Sequence, residues 1–219
     1  MSRAMPRLFV IRHGETEWSL NGRHTGRTDL PLTASGEEQV REKAQALVGE
    51  GLVVDPNNLC TVFVSPRQRA HKTFHLLFGH LPKVPHHILS EEVREWDYGE
   101  YEGLTTSEIK EKNPTWSIWK DGCPGGESAA EMEARVDSVI GKVREYHKQY
   151  SEKGLNTRDV MIVAHGHFNR VLISRWINFP LALGTHFNVE PGSLTILGYN
   201  HDSLDEPALN ALNLYAAVR

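Results

Sequence analysis

The chain has 219 residues, enough to bury one substantial core, and its 39% hydrophobic and 24% charged residues are an ordinary globular balance. A formal net charge of −4 argues against a broadly basic nucleic-acid surface, so any anion site must be a local concentration of cations. Only two cysteines are present, Cys60 and Cys123, far apart and without ligand-spaced partners, which points to a reduced intracellular protein with no disulfide framework.

In chain order, Leu8 to Ile11 reads as a short, fully buried strand. Arg12 stops that run well short of the roughly 18 apolar residues a membrane span takes, and the expectation is a cytoplasmic or nuclear protein with no membrane partner. A Gly-, Asn- and Thr-rich loop follows from Gly14 to Leu32. Thr33 or Ser35 then caps a helix with apolar positions Val40, Ala44, Leu47 and Val48, ending near Gly49 or Gly51. Thr61 to Val64 is a second buried strand. Pro66 suits the first turn of a helix whose apolar face is Ala70, Phe74, Leu77 and Phe78.

From Val93 to Asn113 the chain is charged and aromatic, with Thr105 and Glu108 at capping-box spacing. Trp116 to Gly126 reads as an irregular loop. Ser128 and Glu131 form a second capping box, opening a helix that carries Met132, Val136, Val139, Ile140 and Val143. Val160 to Ala164 is a third buried strand, a helix with Val171, Leu172 and Trp176 follows the loop at Gly166, and Leu194 to Tyr199 is a further strand. Apolar strands alternating with amphipathic helices predict an α/β three-layer sandwich with a mostly parallel central sheet. One domain spans residues 1–219, with 93–126 as a cap over the site.

Two places repeat one arrangement. Arg12-His13-Gly14-Glu15-Thr16 follows the first strand, and His165-Gly166-His167 follows the third. Ligands of α/β sheets bind beyond the carboxyl ends of strands, so the two histidines can meet there, with Arg69 entering from the helix after the second strand. Arginine matches phosphate oxygens bidentately, and histidine is a nucleophile near neutral pH. Arg12, His13, Arg69 and His165 thus form a phosphate pocket containing a nucleophile. With 12 histidines a zinc site is conceivable, but His13 and His165 lack a partner at ligand spacing and the same arginines would repel a cation, so no metal and no cofactor is expected. His167, His86 and His87 read as ordinary surface or loop histidines.

Arg12 to Thr16 with Trp18 resembles the signature of the histidine phosphatase superfamily, the phosphoglycerate mutase-like branch. The resemblance continues in order through Thr25-Gly26, Asp29, Leu32-Thr33, Gly36, Ser65 to Ala70, Glu95, Tyr98-Gly99, Glu102-Gly103, Gly126 to Ser128 and Val163 to Gly166. It implies a phosphoglycerate mutase-like fold and a small phosphorylated substrate. It also implies that His13 is the phosphorylated nucleophile, that Arg12, Arg69 and His165 grip the phosphoryl group, and that Glu95 is the proton donor. By the same resemblance Thr25 and Gly26 contact the substrate near the phosphate; His24, Trp96, Tyr98 and Gly166 are further residues expected to border it, the aromatics because their faces suit the C–H surface of a sugar and Gly166 because it lets the backbone approach closely. An acidic residue, Glu102, before the second glycine resembles the phosphatases rather than the mutases.

Val93 to Gly103, Trp119 to Cys123 and Asp205 to Leu209 are similar to the fungal sedoheptulose-1,7-bisphosphatase subgroup, although the stretch between Asn178 and Leu194 is shorter than in that group. A sugar bisphosphate is therefore the expected substrate, with a mutase, a broad-specificity phosphatase and a silent phosphate-binding module as alternatives. Arg23, His24, Arg94, Lys120 and Arg170 are the cations available for a second phosphate. A homo-oligomer is left open.

Overall fold

Strands that are apolar at every position have no side to turn towards water, so they must form the middle layer of the molecule. The computed structural model, which describes residues 3–215, places them there. Strands β1 (Leu8–Arg12), β2 (Leu59–Val64), β3 (His87–Leu89), β4 (Asp159–Ala164), β5 (Leu194–Tyr199) and β6 (Pro207–Leu214) form one sheet in the order β3-β2-β4-β1-β5-β6. The first four run parallel; β5 pairs antiparallel with β1, and β6 antiparallel with β5.

Alternation along the strands divides the interior into two cores. Phe9, Ile11, Val62, Val64, Met161 and Val163 face helices α2 (Ala34–Leu47) and α3 (Gln68–Phe78), whose Val40, Ala44, Phe74 and Phe78 complete that cluster. Leu8, Val10, Phe63, Val160 and Ile162 face the opposite way, towards α6 (Ala129–Lys153) and α7 (Gly166–Trp176). Helices on both faces of a mostly parallel sheet make the expected three-layer sandwich.

Local chemistry sets the element boundaries. Thr33 caps α2 by accepting from Gly36 N, and Ser128 with Glu131 closes a reciprocal capping box on α6. Thr105 and Glu108 do the same for α4 (Thr106–Lys112). Some boundaries differ from expectation. Pro66 lies ahead of the helix, because Arg67 is the N-cap and Gln68 the first helical residue. Gly166 is itself the first residue of α7. The loop read at Gly14–Leu32 contains a short helix, α1 (Glu17–Asn21), capped by Thr16 and Ser19, and the loop at Trp116–Gly126 contains α5 (Ile118–Asp121). The edge strands β3 and β6 were not anticipated: β3 is three residues long, and β6 is half-buried along most of its length.

Residues 93–126 join one of the two main cores. Trp96, Tyr98, Ile109, Trp116 and Ile118 belong to the same apolar cluster as α6 and α7. Its two ends cross at Gly99 and Gly126, where a Cβ on Gly99 would fall 2.2 Å from Pro124 O and one on Gly126 2.3 Å from Asp97 O. Only glycine permits so close a crossing, and Gly99 also takes φ +50°.

Candidate active site

The carboxyl ends of β2, β4 and β1 lie side by side, and the residue after each strand carries a functional group. Ser65 N donates to Val163 O at 3.0 Å and His13 N to Ala164 O at 2.9 Å, so sheet pairing continues one step past the strands. Ser65, His165 and His13 are thereby set in neighbouring positions. The His13 and His165 rings stand 5.1 Å apart at 64°.

Hydrogen bonds assign both rings. His13 Nδ1 lies 2.7 Å from Gly14 O. A carbonyl only accepts, so Nδ1 carries the proton and Nε2 keeps a free lone pair. In His165 the order is reversed: Arg69 Nε–H donates to Nδ1 at 3.3 Å, which leaves Nε2–H to donate to Ser65 Oγ at 2.7 Å. Burial, reinforced by Arg69 and Arg12, holds His13 well below the ordinary histidine range. Burial, then Arg69, does the same to His165. Both are therefore neutral at pH 7.

Arg69 is fully buried and is held by the carbonyls of Thr25, Gly26 and Thr28 at 2.8–3.1 Å. These contacts are made by the loop that follows α1. That loop is fastened in turn by Glu102, whose carboxylate accepts from Gly26 N and Thr28 N at 2.9–3.1 Å. Arg12 enters from the end of β1, with Nη1 on Val189 O at 2.6 Å.

Glu95 sits at the amino end of α7. Its Oε1 accepts from Trp96 N and Phe168 N, and its Oε2 from His167 N, at 2.8–3.0 Å. Three backbone donors, two of them on the first turn of a helix, fix the carboxylate in one orientation. Its own backbone is held by Arg135, which donates to the carbonyls of Glu92 and Arg94 at 2.9–3.0 Å and to Glu95 O at 3.5 Å while paired bidentately with buried Glu127 at 2.7 Å. Gly166 separates the acid from the arginine: a Cβ there would lie 3.6 Å from both Glu95 Oε2 and the Arg12 guanidinium.

A pocket of about 270 Å³ opens above these groups, lined among others by Arg12, His13, His24, Thr25, Glu95, Tyr98 and Gly166. Of the residues expected at the site, Arg69 and His165 lie beneath it, fully buried behind His13. Trp96 does not reach it; it is 0% exposed and its indole donates to Glu127 O, so it supports the wall from behind. Gly26 contributes its backbone to Arg69 and Glu102 rather than a surface to the pocket.

His167 is a correction. It lines the pocket, 2.8 Å from the Tyr98 hydroxyl and stacked 5.9 Å from His24. Burial, then Arg170, keeps its imidazole well below the ordinary range. The repeated His-Gly pattern after β4 was the signal that could have placed it. Arg135 carried no comparable signal: it stands two turns into α6, past the Gly126–Ser128 motif, at a position that the helix pattern alone does not mark. Of the cations considered for a second phosphate, Arg23, His24 and Arg170 line the pocket. Arg94 pairs instead with Glu127, and Lys120 is exposed outside it.

The arrangement offers a nucleophilic nitrogen, guanidinium charge and a carboxylate converging on one small polar cavity, which is the equipment for transferring a phosphoryl group.

The family model of the histidine phosphatase superfamily (branch 1) matches residues 8–212. The chain is 42% identical over 195 residues to an acid phosphatase of Mycobacterium tuberculosis, covering 89% of this chain and 87% of that protein. It is 30% identical to a sedoheptulose 1,7-bisphosphatase of Saccharomyces cerevisiae, covering 95% and 93%. A solved structure of an M. tuberculosis open reading frame superposes with a TM-score of 0.80 at 37% identity, covering 97% of this chain and 98% of that one.

The tautomers and charges can be read directly. The folded pKa values of His13 and His165 are lowered, so protonation begins only below the unperturbed value of about 6.5. Ring-nitrogen NMR of the ligand-free protein is expected to find both neutral at pH 6.5, with Nδ1–H on His13 and Nε2–H on His165. A midpoint at or above 6.5 for either ring would contradict this account of the site.

Proposed function

Since the chain belongs to branch 1 of the histidine phosphatase superfamily, we propose that it is a phosphatase that hydrolyses phosphomonoesters through a phosphohistidine on His13 Nε2, without a catalytic metal. The observation that carries this reading is the His13–Gly14 hydrogen bond, which aims the unprotonated nitrogen at the pocket. Nε2 attacks phosphorus as the bond to the leaving oxygen breaks, and Glu95 delivers a proton to that oxygen. The ring becomes a phosphorylated imidazolium, and Gly14 O stabilises its Nδ1–H. Water then attacks phosphorus, Glu95 takes the water's proton, the N–P bond breaks, and His13 returns neutral.

Arg12 faces the pocket and grips the equatorial oxygens directly. Arg69 acts from beneath through its field, as does the His165 dipole, which Arg69 and Ser65 orient. The charge that a magnesium ion supplies in other phosphoryl-transfer enzymes is here arginine charge, without help from a protonated His165.

For the substrate we infer a small sugar bisphosphate, with sedoheptulose 1,7-bisphosphate first and fructose 1,6-bisphosphate second. The supporting observations are the yeast relative and two cations on the pocket wall beyond His13, Arg170 and Arg23, the latter sharing its charge with Glu108. A second phosphate meeting either of them adds binding energy remote from the reacting bond.

Incubating the native protein with substrate and quenching in base is expected to trap an acid-labile, base-stable phosphate. His13→Ala is expected to lose that label and several orders of magnitude of turnover while keeping its fold. Undiminished turnover in His13→Ala would end the phosphohistidine reading. Glu95→Gln is expected to slow sugar phosphates far more than p-nitrophenyl phosphate, whose leaving group needs no proton; equal losses would restrict Glu95 to positioning. For the substrate, with the 1-phosphate as the group removed, kcat/KM on sedoheptulose 1,7-bisphosphate should exceed that on sedoheptulose 1-phosphate, which lacks only the remote phosphate, by about tenfold or more, the worth of one charge-assisted hydrogen bond. No bisphosphate advantage would remove this specificity and leave the phosphatase standing, whereas isomerisation of 3-phosphoglycerate would indicate a mutase.

A further inference from the structure

Three histidines meet on the side of α3 that faces away from the pocket. His71 and His75 stand one turn apart, so their side chains share a helix face. At about 100° per residue they lie about 200° and 240° round the helix from Arg69, the residue of α3 that reaches the active site. His87 joins them from β3, the edge strand beside β2.

The geometry is that of a ligand set. His71 Nε2 and His75 Nε2 are 3.0 Å apart, and one ring nitrogen from each of the three histidines falls within 4.8 Å of the others. Nitrogens bound tetrahedrally to zinc at 2.0–2.1 Å stand about 3.3 Å from one another, so small side-chain rotations close the set. Packing already restricts the rings: Phe74 lies 4.3 Å from the His87 ring and 5.2 Å from the His75 ring. His87 Nδ1 faces the carbonyl of Pro85 at 3.4 Å. Such an outer partner leaves Nε2 for the metal and holds the ring in place.

We propose that His71, His75 and His87 bind one divalent transition-metal ion of the zinc class, with water in the remaining position, and so clip the edge strand β3 to helix α3. Three imidazoles and no carboxylate favour zinc, copper or nickel over magnesium or calcium, which take oxygen ligands. The ion would serve the fold rather than the chemistry. The strand it would hold is three residues long, pairs among the described residues with β2 alone, and exposes Ile88 and Leu89, at 37% and 51%. A clip to α3 protects an edge that is otherwise open to pairing with another chain. The inference is independent of the substrate assigned above, because none of its three ligands lines the active-site pocket.

The test uses the full chain, stripped with a chelator and dialysed. Zinc is titrated by calorimetry, and cobalt(II) is titrated spectroscopically to read the coordination geometry. The expected result is one equivalent bound with a tetrahedral cobalt spectrum, retained in His13→Ala and weakened more than about tenfold in His75→Ala. His75 is exposed, so its replacement leaves the fold and the turnover of p-nitrophenyl phosphate unchanged. Failure to bind, affinity unchanged in His75→Ala, or loss of the equivalent in His13→Ala would each overturn the site.

Discussion

The candidate site is organised around a positive charge that is buried without a carboxylate partner. Arg69 is 0% exposed, and among the described residues its side-chain partners are the carbonyls of Thr25, Gly26 and Thr28 and the neutral ring of His165. Taking an ion out of water costs on the order of several kcal/mol even after relaxation. Carbonyl dipoles recover part of that cost and leave a field that favours an arriving dianion. A carboxylate in the same place would stabilise the empty protein and cancel the attraction. Both histidines are neutral partly because this charge lies beside them.

Acidic residues are used elsewhere, as clamps on backbone. Glu102 fastens the loop that wraps Arg69 by accepting from Gly26 N and Thr28 N. Glu127, buried and paired with Arg135, holds the stretch that presents Glu95. Glu95 is itself anchored by the first turn of α7. Glu95 alone of the three lines the pocket; Glu102 and Glu127 are turned to backbone away from it, and the loops that shape the phosphate-binding face are tied to rigid elements. Precise placement of this kind gives oriented groups their effect on rate.

The outer wall is where related enzymes with one chemistry can differ. Arg170 leans on the carbonyls of Gly184 and Thr185 and lies over Trp119, joining α7 and α5 to the 3₁₀ turn at Leu181–His186. That turn belongs to the stretch between Asn178 and Leu194, whose Asn188 and Val189 also line the pocket. A change of length there moves a pocket cation, and because Val189 O holds Arg12 and Gly192 N donates to His13 O, the same stretch ties the substrate wall to the phosphoryl-transfer groups.

By itself, the sequence was sufficient for the parts of the molecule that depend on near neighbours. Apolar runs at Leu8–Ile11, Thr61–Val64 and Val160–Ala164 declared the buried parallel strands, and Thr33, Thr105 and Ser128 declared helix starts, because burial and capping act within a few residues. The Arg-His-Gly and His-Gly pairs placed Arg12, His13 and His165 at strand ends, and strand ends in such a sheet converge. Tertiary structure decided what depends on distant partners. The short edge strand β3 has no signal of its own; it exists because β2 offers an edge at Val62–Val64. The same edge turns His87 from a loop residue into the neighbour of His71 and His75. His167 and Trp96 exchanged roles for a similar reason: a histidine in the first turn of α7 reaches the pocket, whereas the tryptophan beside Glu95 turns back into the core. The protonation states were also undetermined until folding, since a histidine's proton is placed by the atom facing each nitrogen, and Gly14, Arg69 and Ser65 take those positions only when the strands are paired.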